Sequence, residues 1–211
     1  MYTCLKSLLV HTKVDRVYFL IEDDEFPAPL PKCVIVKNMK EQDIFKPGSA
    51  NMGSPYSYMD LMRCALGRIL PDEDRVLWLD TDVIVDGDIS ELLDLDMDGY
   101  YFAAAREPHR SRDIFLYTNT GVTLTNLDIL RKTGIEDEMI TLLNTRRFNW
   151  PGQDVLNLFG QGHIREIGSE YNANDWTLPC AKARVIHFAG IKSFTGNWIY
   201  KKYEGMEMPA V

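Results

Sequence analysis

The sequence predicts a single α/β domain built on a Rossmann-like mixed sheet flanked by helices. Two observations predict it. Short runs of β-forming apolar residues alternate with segments of helical periodicity, and 45% of the 211 residues are hydrophobic, enough for one sizeable core, with no low-complexity linker to divide the chain.

The elements follow in order. Cys4 to Val10 reads as the end of an amphipathic helix. Arg16-Val-Tyr-Phe-Leu-Ile21 is a strand closed by the acidic, proline-rich stretch Glu22 to Pro31, and Cys33-Val-Ile-Val36 repeats the pattern. Leu61, Ala65, Leu66 and Ile69 recur at helical spacing, which predicts a helix over Tyr58 to Leu70 ended by Pro71. Arg75-Val-Leu-Trp-Leu79 is a buried strand running straight into Asp80. Strands alternating with helices predict mainly parallel pairing through crossovers. Tyr101 to Ala105 and Gly121 to Thr125 are two further strands. Ile135 to Asn144 and Gln153 to Phe159 are helices, and Arg184-Val-Ile-His-Phe188 is a last short strand. The chain contains no internal repeat.

The net charge of −8 argues against a nucleic-acid partner, which needs a basic surface, but permits a phosphate-bearing ligand held through a bound cation. The four cysteines (Cys4, Cys33, Cys64, Cys180) include no CxxC pair, so they do not suggest zinc. No apolar run approaches the roughly 18 residues that span a bilayer, and no signal peptide is visible; a cytoplasmic location is the expectation. Lys201-Lys202-Tyr203 hints at peripheral contact with the inner membrane face.

Asp80-Thr81-Asp82 stands out as a metal site. In an extended segment residues i and i+2 project to one side, so both carboxylates can face one cation that bridges them to a diphosphate. Hard oxygen ligands suit Mn²⁺ or Mg²⁺. The spacing alone is weak, because four more Asp-x-Asp triplets occur (Asp72/Asp74, Asp86/Asp88, Asp94/Asp96, Asp96/Asp98), and turn chemistry, helix caps or solvation account for those. Context separates Asp80, which directly follows the apolar run Val76 to Leu79; ligands of open α/β sheets bind beyond the carboxyl ends of strands.

Arg75-Val-Leu-Trp-Leu-Asp-Thr-Asp-Val-Ile-Val85 resembles the metal-binding segment of glycosyltransferase family 8. Three further segments resemble the family's motifs in the same order: Tyr117-Thr-Asn-Thr-Gly-Val-Thr-Leu-Thr-Asn126, Gly152-Gln-Asp-Val-Leu-Asn157 and Ile186-His-Phe-Ala-Gly-Ile-Lys192. The resemblance implies a GT-A type nucleotide-diphospho-sugar transferase domain. Residues 1–85 would form its nucleotide- and metal-binding half, 86–200 its sugar and acceptor half, and 201–211 a tail. It implies Asp80, Asp82 and His187 as metal ligands, and the histidine shifts the preference toward Mn²⁺ over Mg²⁺. It places Gly190 and Lys192 at the diphosphate, and Arg63, Asn119, Gln153 and Asp154 around the donor sugar, with Gln153, Asp154 and Lys192 as the catalytic set. Two departures stand out. One residue is missing between Gly190 and Lys192, and Gly152 occupies a position where some relatives carry an acid.

The implied reaction is transfer of a hexose from a UDP-sugar to a glycan or glycolipid with retention of configuration. Double displacement would need a carboxylate nucleophile on the sugar's β-face. The matching residue is Gln153, a poor nucleophile, so front-face substitution within an ion pair is expected. Acceptor contacts are expected on the loop Glu107 to Phe115 and after Phe194. The rival readings are a nucleotidyltransferase, against which the lack of an N-terminal glycine-rich phosphate loop counts, and an inactive nucleotide-sugar-binding module. Relatives also open with a strand ending in alanine-x-aspartate, whereas Met1 here falls inside the following helix. The expectation is an N-terminally truncated chain lacking its first strand, with about 15 further residues in a natural form; the alternative is that the remaining strands close the gap.

Overall fold

The computed structural model describes all residues except 55, 112–114, 178–179, 192 and 210–211. Helix α1 (Tyr2–His11) leads into strand β1 (Val17–Ile21), which pairs in parallel with β2 (Val34–Asn38), Val17 opposite Val34. One face of α1 buries Leu5 and Leu9 against Phe19 of β1; Cys4 and Leu8 join a separate cluster with Val83 and Val85. Such i, i+4 pairs are what an amphipathic helix presents to a sheet.

A four-stranded sheet follows, in the order β3 (Arg75–Leu79), β6 (Thr118–Asn126), β5 (Phe102–Arg106), β7 (Ile164–Ile167). β6 runs antiparallel to both β3 and β5, while β7 is parallel to β5. A third ladder joins β4 (Val83–Val85) antiparallel to β8 (Val185–His187). The mixed α/β architecture agrees with the sequence expectation; the mainly parallel pairing does not. Residues 107–117 between β5 and β6 are too few for a helical crossover, which takes a dozen or more, so the chain returns antiparallel.

β3 was expected to be buried, yet Arg75 is exposed and the rest of the strand is half-buried. Among the described residues β3 is paired only with β6, and β1 only with β2. Both still feed one core: Tyr18 and Leu20 of β1 and Val76 and Trp78 of β3 pack on the same cluster, while Leu77 and Leu79 turn to the other side. This alternation puts Asp80 on the side of Trp78.

The helix expected over Tyr58 to Leu70 is instead a 3₁₀ segment, Tyr58–Cys64, followed by a single α turn, α2 (Leu66–Ile69). Two side chains break it. Arg63 bends back to donate from Nε to the Asp60 carbonyl at 3.1 Å, and Glu136 accepts from the Gly67 and Arg68 N–H groups at 2.6 and 2.8 Å, starting a new turn there. Glu136 lies on α5 (Ile135–Thr145), which with α4 (Leu127–Thr133) and α6 (Pro151–Phe159) covers the cluster that contains Leu61, Met62 and Phe102. Four of these elements, β4, the short helix α3 (Ser90–Leu93), α4 and β7, are too brief for periodicity to announce.

The C-terminal helix α7 (Trp198–Glu204) docks on α1. Its Lys202 donates to Asp86 at 2.7 Å, and the buried Tyr203 hydroxyl donates to the same carboxylate. That lysine's charge is thus matched within the fold, leaving Lys201 exposed. No helix among the described residues is long and apolar enough to cross a membrane.

Candidate metal and donor site

The site starts at the carboxyl end of β3, where Asp80 donates its backbone N–H to the Gly121 carbonyl of β6 at 2.8 Å. Opposite, the β5–β6 register shifts between Ala104 and Ala105: Ala104 faces Thr123 and Ala105 faces Asn119, so Thr120, Gly121 and Val122 bulge away from β5. Bulges re-aim side chains and backbone groups in this way beside functional sites.

The bulge makes room for His187. A Cβ on Gly121 would lie 2.0 Å from His187 Cε1, so the glycine is required by the close approach of the imidazole. His187 is buried, with Nε2 at 3.4 Å from Asp82 Oδ1 and 3.8 Å from Asp80 Oδ2. One ligand atom from each of Asp80, Asp82 and His187 lies within 4.8 Å of the other two. Two carboxylates and one imidazole form a donor set suited to a small divalent cation.

The tautomer of His187 follows from its neighbours. Asn172, fully buried, donates from Nδ2 to the Asn119 carbonyl (3.1 Å) and to Asn119 Oδ1 (3.0 Å). Its own Oδ1 therefore accepts from His187 Nδ1–H at 2.9 Å, leaving the Nε2 lone pair toward the carboxylates. Asn119, expected beside the sugar, supports the imidazole through Asn172 and accepts from Gly121 N–H at 3.2 Å.

Asp80 is held just as closely. Its Oδ1 accepts from Trp78 Nε1 at 2.6 Å and from Arg63 Nη2 at 2.8 Å, which leaves Oδ2 for a ligand. Arg63 is buried and every guanidinium nitrogen is engaged: Nε on the Asp60 carbonyl, Nη1 on the Thr120 carbonyl and hydroxyl, Nη2 on Asp60 and Asp80. Among the described side chains, Asp60, Asp80 and Asp82 outnumber Arg63 by two charges when His187 is neutral, the charge of one divalent cation. Burial works to raise the Asp82 carboxyl; when His187 is instead protonated, its Nε2–H and charge, a backbone hydrogen bond and Arg63 together hold Asp82 below the ordinary carboxylate range.

Gln153 and Asp154 open α6 beside this centre. Gln153 Oε1 accepts from Thr120 N–H at 3.1 Å, while Nε2 donates to Glu107 at 3.2 Å and to the Tyr117 hydroxyl at 3.3 Å. Asp154 accepts from Tyr117 (2.6 Å) and from Trp150 N–H (3.0 Å), capping the helix. Gly190 has φ +73°, a conformation that favours glycine, in the loop after His187. Lys192 lies outside the described residues. Sequence reasoning missed Asp60, Trp78 and Asn172. The i, i+2 relation of Trp78 to Asp80 was a readable signal; the other two carried none.

Replacing Trp78 by phenylalanine keeps a ring beneath the Arg63 guanidinium, now 5.0 Å from the ring centroid, but removes one donor from Asp80. Divalent-cation affinity is expected to fall roughly 10-fold with little change in melting temperature, as for other groups that orient metal ligands. An unchanged affinity in a cation titration refutes this role.

Comparison with known proteins agrees with the arrangement. A family model described as glycosyl transferase family 8 matches residues 22–193. Glycosyltransferase GlyE of Streptococcus pneumoniae is 27% identical over 188 residues, covering 81% of this chain and 43% of that protein. The lipopolysaccharide 1,2-glucosyltransferase of Escherichia coli is 30% identical over 149 residues, covering 64% of this chain and 44% of the relative. The chain thus spans under half the length of these two curated relatives. In structure it is similar to crystalline GlyE (TM-score 0.73, 20% identity, 98% of this chain and 57% of that one) and to the galactosyltransferase LgtC in complex with donor and acceptor sugar analogues (TM-score 0.55, 21% identity, 81% and 72%). At those identities the structural likeness establishes the GT-A fold.

Proposed function

The chain belongs to glycosyl transferase family 8, and on that premise we propose that it transfers a hexose from a UDP-sugar to a hydroxyl of a glycan or glycolipid, with retention of configuration and with Mn²⁺, or alternatively Mg²⁺, as cofactor. The observation that carries this reading is the convergence of Asp80, Asp82 and His187, with an excess of negative charge among the described side chains, at the carboxyl end of β3. A diphosphate cannot approach such a centre alone; a diphosphate with a divalent cation can.

When bound, the cation supplies Lewis-acid stabilisation of the charge that develops on the leaving diphosphate. The protein's own residues do the rest. Arg63 and Trp78 hold Asp80 so that one oxygen stays fixed on the ligand side, and Asn172 holds the His187 lone pair there. Gly190 lets the backbone approach the diphosphate, and Lys192, two residues on, is assigned the point charge beside it. Gln153 and Asp154 border the sugar.

No carboxylate stands in place of Gln153, whose amide is already tied to Thr120, Glu107 and Tyr117, and this supports front-face substitution. The acceptor oxygen bonds to C1 on the face from which the diphosphate leaves. The C1–O bond to phosphate breaks, and the acceptor's proton passes to the departing phosphate oxygen. With a UDP-α-sugar donor the new linkage is therefore expected to be α. Proton NMR of the product's anomeric signal reads this directly, and a β signal would overturn the retaining mechanism.

A further inference from the structure

Asp60 lies beside this machinery with capacity to spare. Its Oδ1 accepts from Arg63 Nη2 at 2.6 Å and its Oδ2 from Gly152 N–H at 3.1 Å, at the start of α6. Each carboxylate oxygen can accept a second hydrogen bond, and the side chain is 22% exposed although the arginine it holds is buried. Through Arg63 it stands one residue away from the metal ligand Asp80, and through Gly152 it adjoins Gln153.

The geometry around Gly152 shows that this carboxylate has a reserved place. A Cβ at 152 would meet the Asp60 carbonyl at 2.7 Å, Asp60 Oδ2 at 2.8 Å and Arg63 Cδ at 3.2 Å. The space over the first turn of α6 therefore belongs to Asp60, and position 152 can offer no side chain of its own. A carboxylate in this place offers acceptor oxygens and no donor.

We propose that Asp60 is a specificity-determining residue that accepts hydrogen bonds from hydroxyls of a neutral donor hexose and repels a donor whose sugar carries a carboxylate. The inference rests on the reading of the site as a UDP-sugar site. Its chemistry is one-sided: hydroxyl donors gain charge-assisted bonds, whereas a uronate brings a second negative charge against the first.

The test is calorimetric binding in the presence of Mn²⁺, using UDP, UDP-glucose, UDP-galactose and UDP-glucuronate with the wild type and with Asp60→Asn. The variant is close to isosteric, and a melting curve matched to the wild type verifies its fold. The wild type is expected to bind at least one UDP-hexose about 10-fold tighter than UDP, and UDP-glucuronate no tighter than UDP. In Asp60→Asn, read at saturating Mn²⁺, the advantage of the hexose over UDP should vanish and the handicap of glucuronate should shrink, whatever affinity for UDP itself is lost with the second anchor of Arg63. An equal loss for UDP and UDP-hexose would mean that Asp60 only braces Arg63, and would overturn the proposal. A retained hexose advantage, or a wild type that binds UDP but gains nothing from the hexose, overturns it too while leaving the UDP site standing. A wild type that binds no UDP removes both readings.

Discussion

Asp80→Asn is expected to abolish turnover and tight Mn²⁺ binding together, with a loss in kcat/KM on the order of 10³-fold or more. Charge is half of the reason: the described side chains of the site carry an excess of negative charge, and the substitution removes one unit of it. Orientation is the other half. Oδ1 of Asp80 accepts from both Trp78 and Arg63, so the new amide must keep its carbonyl on them and turn its NH₂ toward the cation position. That group has no lone pair to give. Asp82→Asn should cost less, because among the described side chains none but His187, at 3.4 Å, holds Asp82, and an amide there can turn its oxygen inward. Electron paramagnetic resonance of free Mn²⁺ measures the affinities alongside released UDP. Wild-type turnover that survives excess chelator would sink the metal centre.

Gly121→Ala is the second large effect, and it removes no metal ligand. The added methyl would sit 2.0 Å from Cε1 and 2.6 Å from Nδ1 of His187, which is buried and tied to Asn172. Neither group can yield cheaply: Gly121 is fixed by its carbonyl on Asp80 and the imidazole by its hydrogen bond. A destabilisation of about 3 kcal/mol is expected, near the upper end for overpacking, with a fall of roughly 10 °C in Tm and loss of cation affinity. The double variant Gly121→Ala with His187→Ala should regain most of the stability, since the methyl then fills vacated space, yet remain unable to bind the cation tightly. If Gly121→Ala melts with the wild type and keeps its cation affinity, the imidazole does not occupy the bulge.

Much of the fold was legible because its signals are local. The runs around β1, β2, β3, β5 and β6 and the periodicity of α5 and α6 read directly as elements, and each formed within a few residues of its expected place. The segment over Tyr58 to Leu70 failed because its apolar spacing was helical while its backbone was not. The Glu136 carboxylate and the Arg63 guanidinium take up peptide groups that a continuous helix would use, and no pattern within residues 58–70 reports a partner at 136. The expected parallel pairing failed for a similar reason: strand direction depends on what the connection can span.

What the sequence by itself determined is that Asp80 and Asp82 share one side of an extended segment beyond a strand, since the two-residue period of β structure is a property of the backbone. The resemblance of four ordered motifs to the family's also implied that Asn119, Gln153 and His187 belong to one centre. Only the tertiary structure decided how they meet: which oxygen of Asp80 is free, which nitrogen of His187 carries the lone pair, and that Arg63 is a fully engaged clamp with Asp60 as its second anchor. Apart from the local pairs Trp78–Asp80 and Asp60–Arg63, these are contacts between residues 15 to 92 positions apart, set by strand order, by the Ala104/Ala105 bulge and by the absence of a side chain at Gly121 and Gly152. Local periodicity places a side chain on a face; the hydrogen bonds that select one of its atoms depend on neighbours that only the packed sheet and helices bring within 3 Å.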